Sequence, residues 1–118
     1  MRLRSDIFVG ALLRHAAVLG LPAMQVRRGA AEAGTIFIEI DHLDGTVSLF
    51  GPAPPDVAES AAQGREFGPL GASQRLPAEE ANAIMARQAR YDPDLWLIAV
   101  EDSSGTRFTE LPGFAALR

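Results

Sequence analysis

Glu39, Asp41, His42 and Asp44 form the densest cluster in the chain of groups that could do chemistry. Three carboxylates at that spacing are donors for a hard cation. In a strand Glu39 and Asp41 share a face, and Asp44 lies in the adjoining turn. The same alternation points His42 to the opposite face. Asp44 is already accounted for as a turn residue beside Gly45, and acids on an open sheet face are ordinary. The second candidate is basic. Arg27-Arg28 before Gly29, with Arg4 from the N-terminus, can hold a carboxylate bidentately and present a face to an acidic partner. Neighbouring strand residues point to opposite faces, so only one of Arg27 and Arg28 joins a given surface. His15 falls inside the apolar arc of the first helix and reads as a core residue satisfied by a backbone carbonyl. The serines at 5, 48, 60, 73, 103 and 104 sit in caps, turns, loops or an ordinary strand position, with no neighbouring base implied. There is no P-loop, dinucleotide fingerprint, nucleophile elbow or metalloprotease helix. No catalytic residue, metal ligand or cofactor is assigned.

The element that must position these groups is Asp94-Leu95-Trp96-Leu97-Ile98-Ala99-Val100-Glu101, apolar throughout between acidic ends. It reads as a strand buried on both faces: Leu95, Leu97 and Ala99 on one, Trp96, Ile98 and Val100 on the other. A first helix is expected over Asp6–Leu19, capped by Ser5 and stopped by Gly20 and Pro22, with Ile7, Phe8, Ala11, Leu12, His15, Val18 and Leu19 facing the core. Residues 23–28 form a strand. Ile36, Ile38 and Ile40 alternate with Phe37, Glu39 and Asp41 in the next. With Asp44-Gly45 as a two-residue loop, Ile40 lies opposite Leu49 and Glu39 opposite Phe50. Residues 51–76, rich in proline and glycine, are an irregular loop holding a short helix over Asp56–Gln63 and an extended Arg65-Glu66-Phe67. A second helix spans Pro77–Arg90, its buried side Ala78, Ala81, Ile84, Met85 and Ala89, with Arg87 able to stack on Tyr91. Ser103-Ser104-Gly105 turns the chain into a last strand, Thr106–Thr109, and the apolar tail from Phe114 either tucks onto the core or frays, fraying being the reading preferred.

The 118 residues make one small domain, without cysteine, which excludes disulfides, thiolate zinc sites and cysteine nucleophiles and fits a cytoplasmic protein. No apolar window approaches the length of a membrane span, about eighteen residues, and the first residues do not read as a signal peptide. All eleven basic residues are arginine, which beside twenty alanines reads as codon bias. Residues 1–28 carry a net charge of +4 and residues 29–118 a net −8. A basic quarter on an acidic body marks a docking face or pairs with the chain's own acids. Nucleic acid fits poorly, because the chain is acidic and its lone Trp96 and Tyr91 serve the core.

Several stretches together resemble a family of short alphaproteobacterial proteins, domain of unknown function 1491. They are Arg2-Leu3-Arg4-Ser5-Asp6-Ile7, Arg27-Arg28-Gly29 with Ala33-Gly34, Leu43-Asp44-Gly45, Leu49-Phe50-Gly51-Pro52-Ala53-Pro54, and Asp92-Pro93-Asp94-Leu95-Trp96. The family has no established activity, so the resemblance implies a shared fold and adds no catalytic residue. The fold expected is α+β: a mainly antiparallel sheet of about five strands with two main helices. The function expected is a non-catalytic interaction module, homodimeric, that presents Arg4, Arg27 and Arg28 to an acidic protein partner or to itself. The alternative is a small-ligand or divalent-metal site, possible in a small enzyme, at Glu39, Asp41 and Asp44.

Overall fold

The computed structural model describes residues 2–54, 65–71 and 75–118. Along the chain come α1 (Ser5–Leu19), β1 (Ala23–Arg27), β2 (Ile36–Asp41), β3 (Thr46–Pro52), β4 (Phe67–Pro69), β5 (Leu76–Pro77), α2 (Ala78–Tyr91) and β6 (Trp96–Glu101). Two 3₁₀ turns follow, Arg107–Glu110 and Ala115–Leu117. The helix expected over Asp56–Gln63 lies outside the described residues. The strands form one six-stranded sheet in the order β1-β6-β2-β3-β4, with β5 also on β3. The sheet is mainly antiparallel, as expected, but it is mixed and has six strands: β6 runs parallel to β2 at its centre, while every other pairing among the described residues is antiparallel. The reason is the crossover. A parallel neighbour needs a long return connection, and α2 lies on it.

Both faces of β6 are covered, as its composition requires. Trp96, Ile98 and Val100 pack with Phe8, Val9, Leu12 and Ala16 of α1, while Leu95 and Leu97 pack with Ala81 and Met85 of α2 and with Phe37, Val47, Leu49 and Leu76. The small-residue side expected of α2 is the side it buries. Tyr91 is 84% exposed, so it is no core residue. Among the described residues no helix is long and apolar enough to cross a membrane.

Helix α1 is rotated from the expected arc. Ile7 and Val18 are 52% and 85% exposed, and His15 is exposed too; the buried stripe is Ser5, Phe8, Val9, Leu12 and Ala16. Long-range bonds set this rotation. The Ser5 and Asp6 amides donate to the carbonyls of Glu32 and Ala31, and the Ser5 hydroxyl donates to the Gly34 carbonyl at 2.6 Å. Arg4, and not Ser5, stands at the cap position, and Ser5 is fully buried inside the first turn.

The hairpin register is one residue from expectation. Glu39 pairs with Leu49 and Ile40 with Ser48, and the His42 amide donates to Thr46 across a three-residue loop, Leu43-Asp44-Gly45. Leu43 takes the left-handed conformation at φ 62° and Gly45 follows at φ 88°. A one-residue shift exchanges the faces of a strand, so Leu49 joins the α2 core and Ser48 turns toward the α1 side.

Residues 51–76 are less irregular than their composition suggests, since β3 runs on to Pro52 and Phe67–Pro69 pairs with it. Arg65, only 7% exposed, donates to the Leu3 carbonyl at 2.9 Å and to the Ser5 hydroxyl at 2.9 Å, and lies over the Phe8 ring. Burial, and then nearby Arg2, lower its pKa to about 10, so it stays charged at neutral pH.

Residues 106–109 do not form the expected strand. Asp102 gathers the loop instead, accepting hydrogen bonds from the Ser104 amide and hydroxyl on one oxygen and from the Phe108 amide at 2.8 Å on the other. This turns Phe108 into the core. Burial pushes the Asp102 carboxyl up, but the hydrogen bonds outweigh it and the group lies below its usual value of 3.8. A folded pKa below the unfolded one contributes stability in full above the unfolded value and loses it as pH falls through the folded one. Asp102→Asn is therefore expected to cost about 2 kcal/mol at neutral pH. That cost should shrink below about pH 4, which denaturation midpoints at the two pH values will check.

Candidate functional site

The three arginines stand around one junction, each with an internal partner. Arg4 Nε lies 3.2 Å from Asp6 Oδ1, and its Nη1 lies 3.7 Å from Glu32. Arg27 Nη2 donates to the Pro93 carbonyl at 2.8 Å, and the Arg28 guanidinium lies 5.3 Å from the centre of the Trp96 ring. The loop between Arg28 and Ile36 is pressed onto the start of β6. The Ala30 amide donates to the Asp94 carbonyl at 2.9 Å, and the Trp96 indole donates to the Ala30 carbonyl at 2.8 Å. Only glycine fits at Gly29 and Gly34, where a Cβ would come within 2.2 and 2.4 Å of the Asp94 carbonyl oxygen. The Arg27-Arg28-Gly29, Ala33-Gly34 and Asp92–Trp96 stretches are thus neighbours in space.

The acids divide into two groups. Strand register sets Met24, Ala99, Glu39 and Leu49 in one row across four strands, with Glu101, Asp41 and Val47 in the next on the same face. Leu49 and Val47 lie in the α2 core. Met24, Ala99, Glu39, Asp41 and Glu101 instead line an open groove of about 300 Å³ together with Pro22, Ala23 and Val26. Met24 and Val26 are 64% and 54% exposed. Burial, and then the neighbouring Asp41, hold the Glu39 carboxyl above its usual range. No cationic side chain lines this groove among the described residues. Beside it runs the outer edge of β1, a strand that among the described residues pairs only with β6.

Asp44 belongs elsewhere. It accepts hydrogen bonds from the Thr46 amide and hydroxyl and pairs with Arg75 at 3.1 Å. Among the described residues, no three His, Asp or Glu groups are arranged to hold a metal ion.

One close pair escapes the reading of the sequence. His42 Nε2 and Ser48 Oγ are 2.7 Å apart, and the two residues are only 6% and 8% exposed. The other ring nitrogen, Nδ1, is buried without a hydrogen-bond partner. Burial, and then Arg75, push the imidazole pKa below 6.5, so the ring is neutral at pH 7. A hydroxyl against an imidazole is half of a nucleophile relay, but the half that orients the base is lacking. Asp102 spends its oxygens on the Ser104 and Phe108 donors, and Asp44 spends its own on Thr46 and Arg75. The signal was the register: Ser48 meets His42 only when Ile40, and not Asp41, lies opposite it.

The model for a family described as a protein of unknown function, DUF1491, matches residues 3–110. A crystal structure of a DUF1491 family protein from Caulobacter crescentus CB15 is similar at a TM-score of 0.74 and 33% identity, covering 95% of this chain and 97% of that one. The solution structure of protein Atu0922 from A. tumefaciens is similar at 0.71 and 36% identity, covering 86% and 87%. An NMR structure of a DUF1491 family protein from Caulobacter crescentus CB15 is similar at 0.68 and 35%, covering 95% and 96%. No curated protein matches the chain.

Proposed function

The chain belongs to the DUF1491 family, whose description assigns no activity, and from the geometry we propose that it is a protein-interaction module that pairs with a second copy of itself along β1. The observation that carries this is the edge of β1, which has no second strand beside it among the described residues, with Met24 and Val26 exposed at a groove whose acids have no cation beside them among those residues. Natural sheets blunt such edges with charge, proline or bulges; in β1 these fall at its end, where the register with β6 shifts between Gln25 and Arg27, and residues 23–25 carry no charge or proline. Antiparallel pairing about Gln25 sets Met24 of one copy beside Val26 of the other. It also brings the basic end of β1, Arg27 and Arg28, toward the end of the other copy that holds Glu101, Asp41 and Glu39. Parallel pairing would set like charge against like. The acidic partner expected for Arg4, Arg27 and Arg28 is on this reading the second copy, with Arg4 at the margin. A cytoplasmic setting accords with a chain that carries no cysteine.

Sedimentation tests the proposal. Wild type at about 100 µM should run at twice the chain mass, a concentration at which micromolar edge pairing is nearly saturated. A Met24→Lys, Val26→Lys double variant should run as a monomer, with a melting temperature within about 2 °C of wild type because both side chains are already in solvent. These positions are cleaner than Arg27 or Arg28, whose substitution also disturbs Pro93 and Trp96. A monomeric wild type, or a double variant that still dimerises, overturns the proposal.

A further inference from the structure

The hairpin, β4, the loop after β6 and the C-terminal turns line a half-open cavity of about 540 Å³ that shares no described lining residue with the acidic groove. Its wall is mixed, with Phe50, Pro69, Phe108 and Leu117 apolar and His42, Ser48, Arg75 and Thr109 polar. A space of this size suits a small organic molecule. Three observations narrow which kind. His42 and Ser48 are each more than nine-tenths buried and 2.7 Å apart, yet His42 Nδ1 has no partner, a costly omission in a folded core. Gly105, at φ 71°, packs closely beside it: a Cβ there would lie 3.1 Å from Arg75 Nη2 and 3.6 Å from His42 Nδ1. The guanidinium and the unpaired nitrogen are therefore both neighbours of Gly105, in the wall of the cavity that His42, Arg75 and Gly105 line. Finally, Arg75 and Arg118 line the cavity, and no Asp or Glu side chain does among the described residues.

We propose that this cavity binds a small carboxylic acid, ionised, with an apolar body. The carboxylate meets Arg75 Nη2 and His42 Nδ1–H, and the body lies on Phe50, Phe108, Pro69 and Leu117. This binding mode requires the tautomer with its proton on Nδ1, in which Nε2 accepts from the Ser48 hydroxyl 2.7 Å away. Nδ1 is shielded from solvent, so its contact closes as the ligand seats against Gly105. An inorganic anion would leave the apolar wall uncovered, and an alcohol of the same shape would leave the guanidinium without a counter-charge from the ligand.

The test is a titration of the ¹⁵N-labelled full chain with three probes: 4-phenylbutyrate, 4-phenylbutan-1-ol and inorganic phosphate. The carboxylate alone should give saturable shifts at the amides of Gly105, Thr106 and Phe108. It should also shift the His42 Nδ1–H proton downfield, as expected when a protonated ring nitrogen gains a carboxylate acceptor. Arg75→Gln should weaken the carboxylate roughly tenfold, the loss of one charge-assisted contact. Its melting temperature should hold within about 2 °C, because the Arg75–Asp44 pair is solvent-exposed. Equal binding of the alcohol, equal binding of phosphate, unchanged affinity in Arg75→Gln, or no saturable shift from any probe up to about 10 mM each overturns the proposal.

Discussion

Gly29→Ala is expected to destabilise the protein by about 3 kcal/mol or more, lowering the melting temperature on the order of 15 °C. The added methyl would sit 2.2 Å from the Asp94 carbonyl oxygen, 2.6 Å from the Leu95 carbonyl carbon and 2.6 Å from the Trp96 ring. Two of these neighbours are backbone, so no rotamer change relieves the clash. The loop must lift instead, and the Ala30–Asp94 and Trp96–Ala30 hydrogen bonds go with it. The control is Gly20→Ala, where φ is 74° but nothing lies within 4 Å. That change strains only its own residue and should cost about 1 kcal/mol. Thermal denaturation of the two variants side by side separates crowding from conformational strain. A Gly29→Ala protein that melts with the Gly20→Ala control would mean that the loop is not seated on β6 as described.

The second large effect is expected at the C-terminal end. Phe114 has no exposed surface and packs edge-on against Phe50 and Phe108, at 5.2 and 5.3 Å, with Phe67 at 5.1 Å. Phe114→Ala should cost about 3–5 kcal/mol, the range for emptying a buried aromatic site, and Phe114→Leu less than half of that. The tail is held by its backbone too: the Phe67 amide donates to the Gly113 carbonyl at 2.7 Å, and the Ala116 amide donates to the Glu66 carboxylate. Urea denaturation gives both values. A loss below about 1 kcal/mol for Phe114→Ala would put the tail in solvent, where the apolar run after Pro112-Gly113 first suggested it belonged.

That misreading shows where the information lay. β6 and the buried side of α2 were legible because each is a local pattern, an apolar run and a stripe of small residues, that only one arrangement satisfies. The rotation of α1 was not, since its apolar residues allow two arcs and the choice is made by carbonyls of the loop near residues 31–34, far along the chain. The tail is likewise settled by remote partners. The hairpin failed for a local reason. Asp44-Gly45 is a two-residue turn signal, but Leu43 takes a left-handed conformation that leucine seldom adopts, and the loop gains one residue. From that single residue the placement of Ser48 followed wrongly. With the register shifted, Ser48 seemed to face Asp41, and its contact with His42 was invisible. The arginines stood out in the sequence as a group, but adjacency in sequence says nothing of the backbone carbonyl and indole that engage Arg27 and Arg28.

The parallel pairing at the centre of the sheet also governs how the protein can be made. β1 and β2 follow one another closely in the chain, yet they share no pairing, because β6 occupies the place between them. As synthesis proceeds at about 5–20 residues per second, the first three strands emerge well before the strand that joins β1 to the rest. Until then β2 can close on β3, and β4 and β5 can join β3, but β1 has no neighbour to pair with and α1 has half a surface to lie on. Folding should therefore be late and concerted, with slow closure of the long-range pairs and little tolerance for fragments. A nascent chain stalled before Trp96 would expose both margins of the gap, so the interval before β6 arrives is when the chain most needs protection from mispairing.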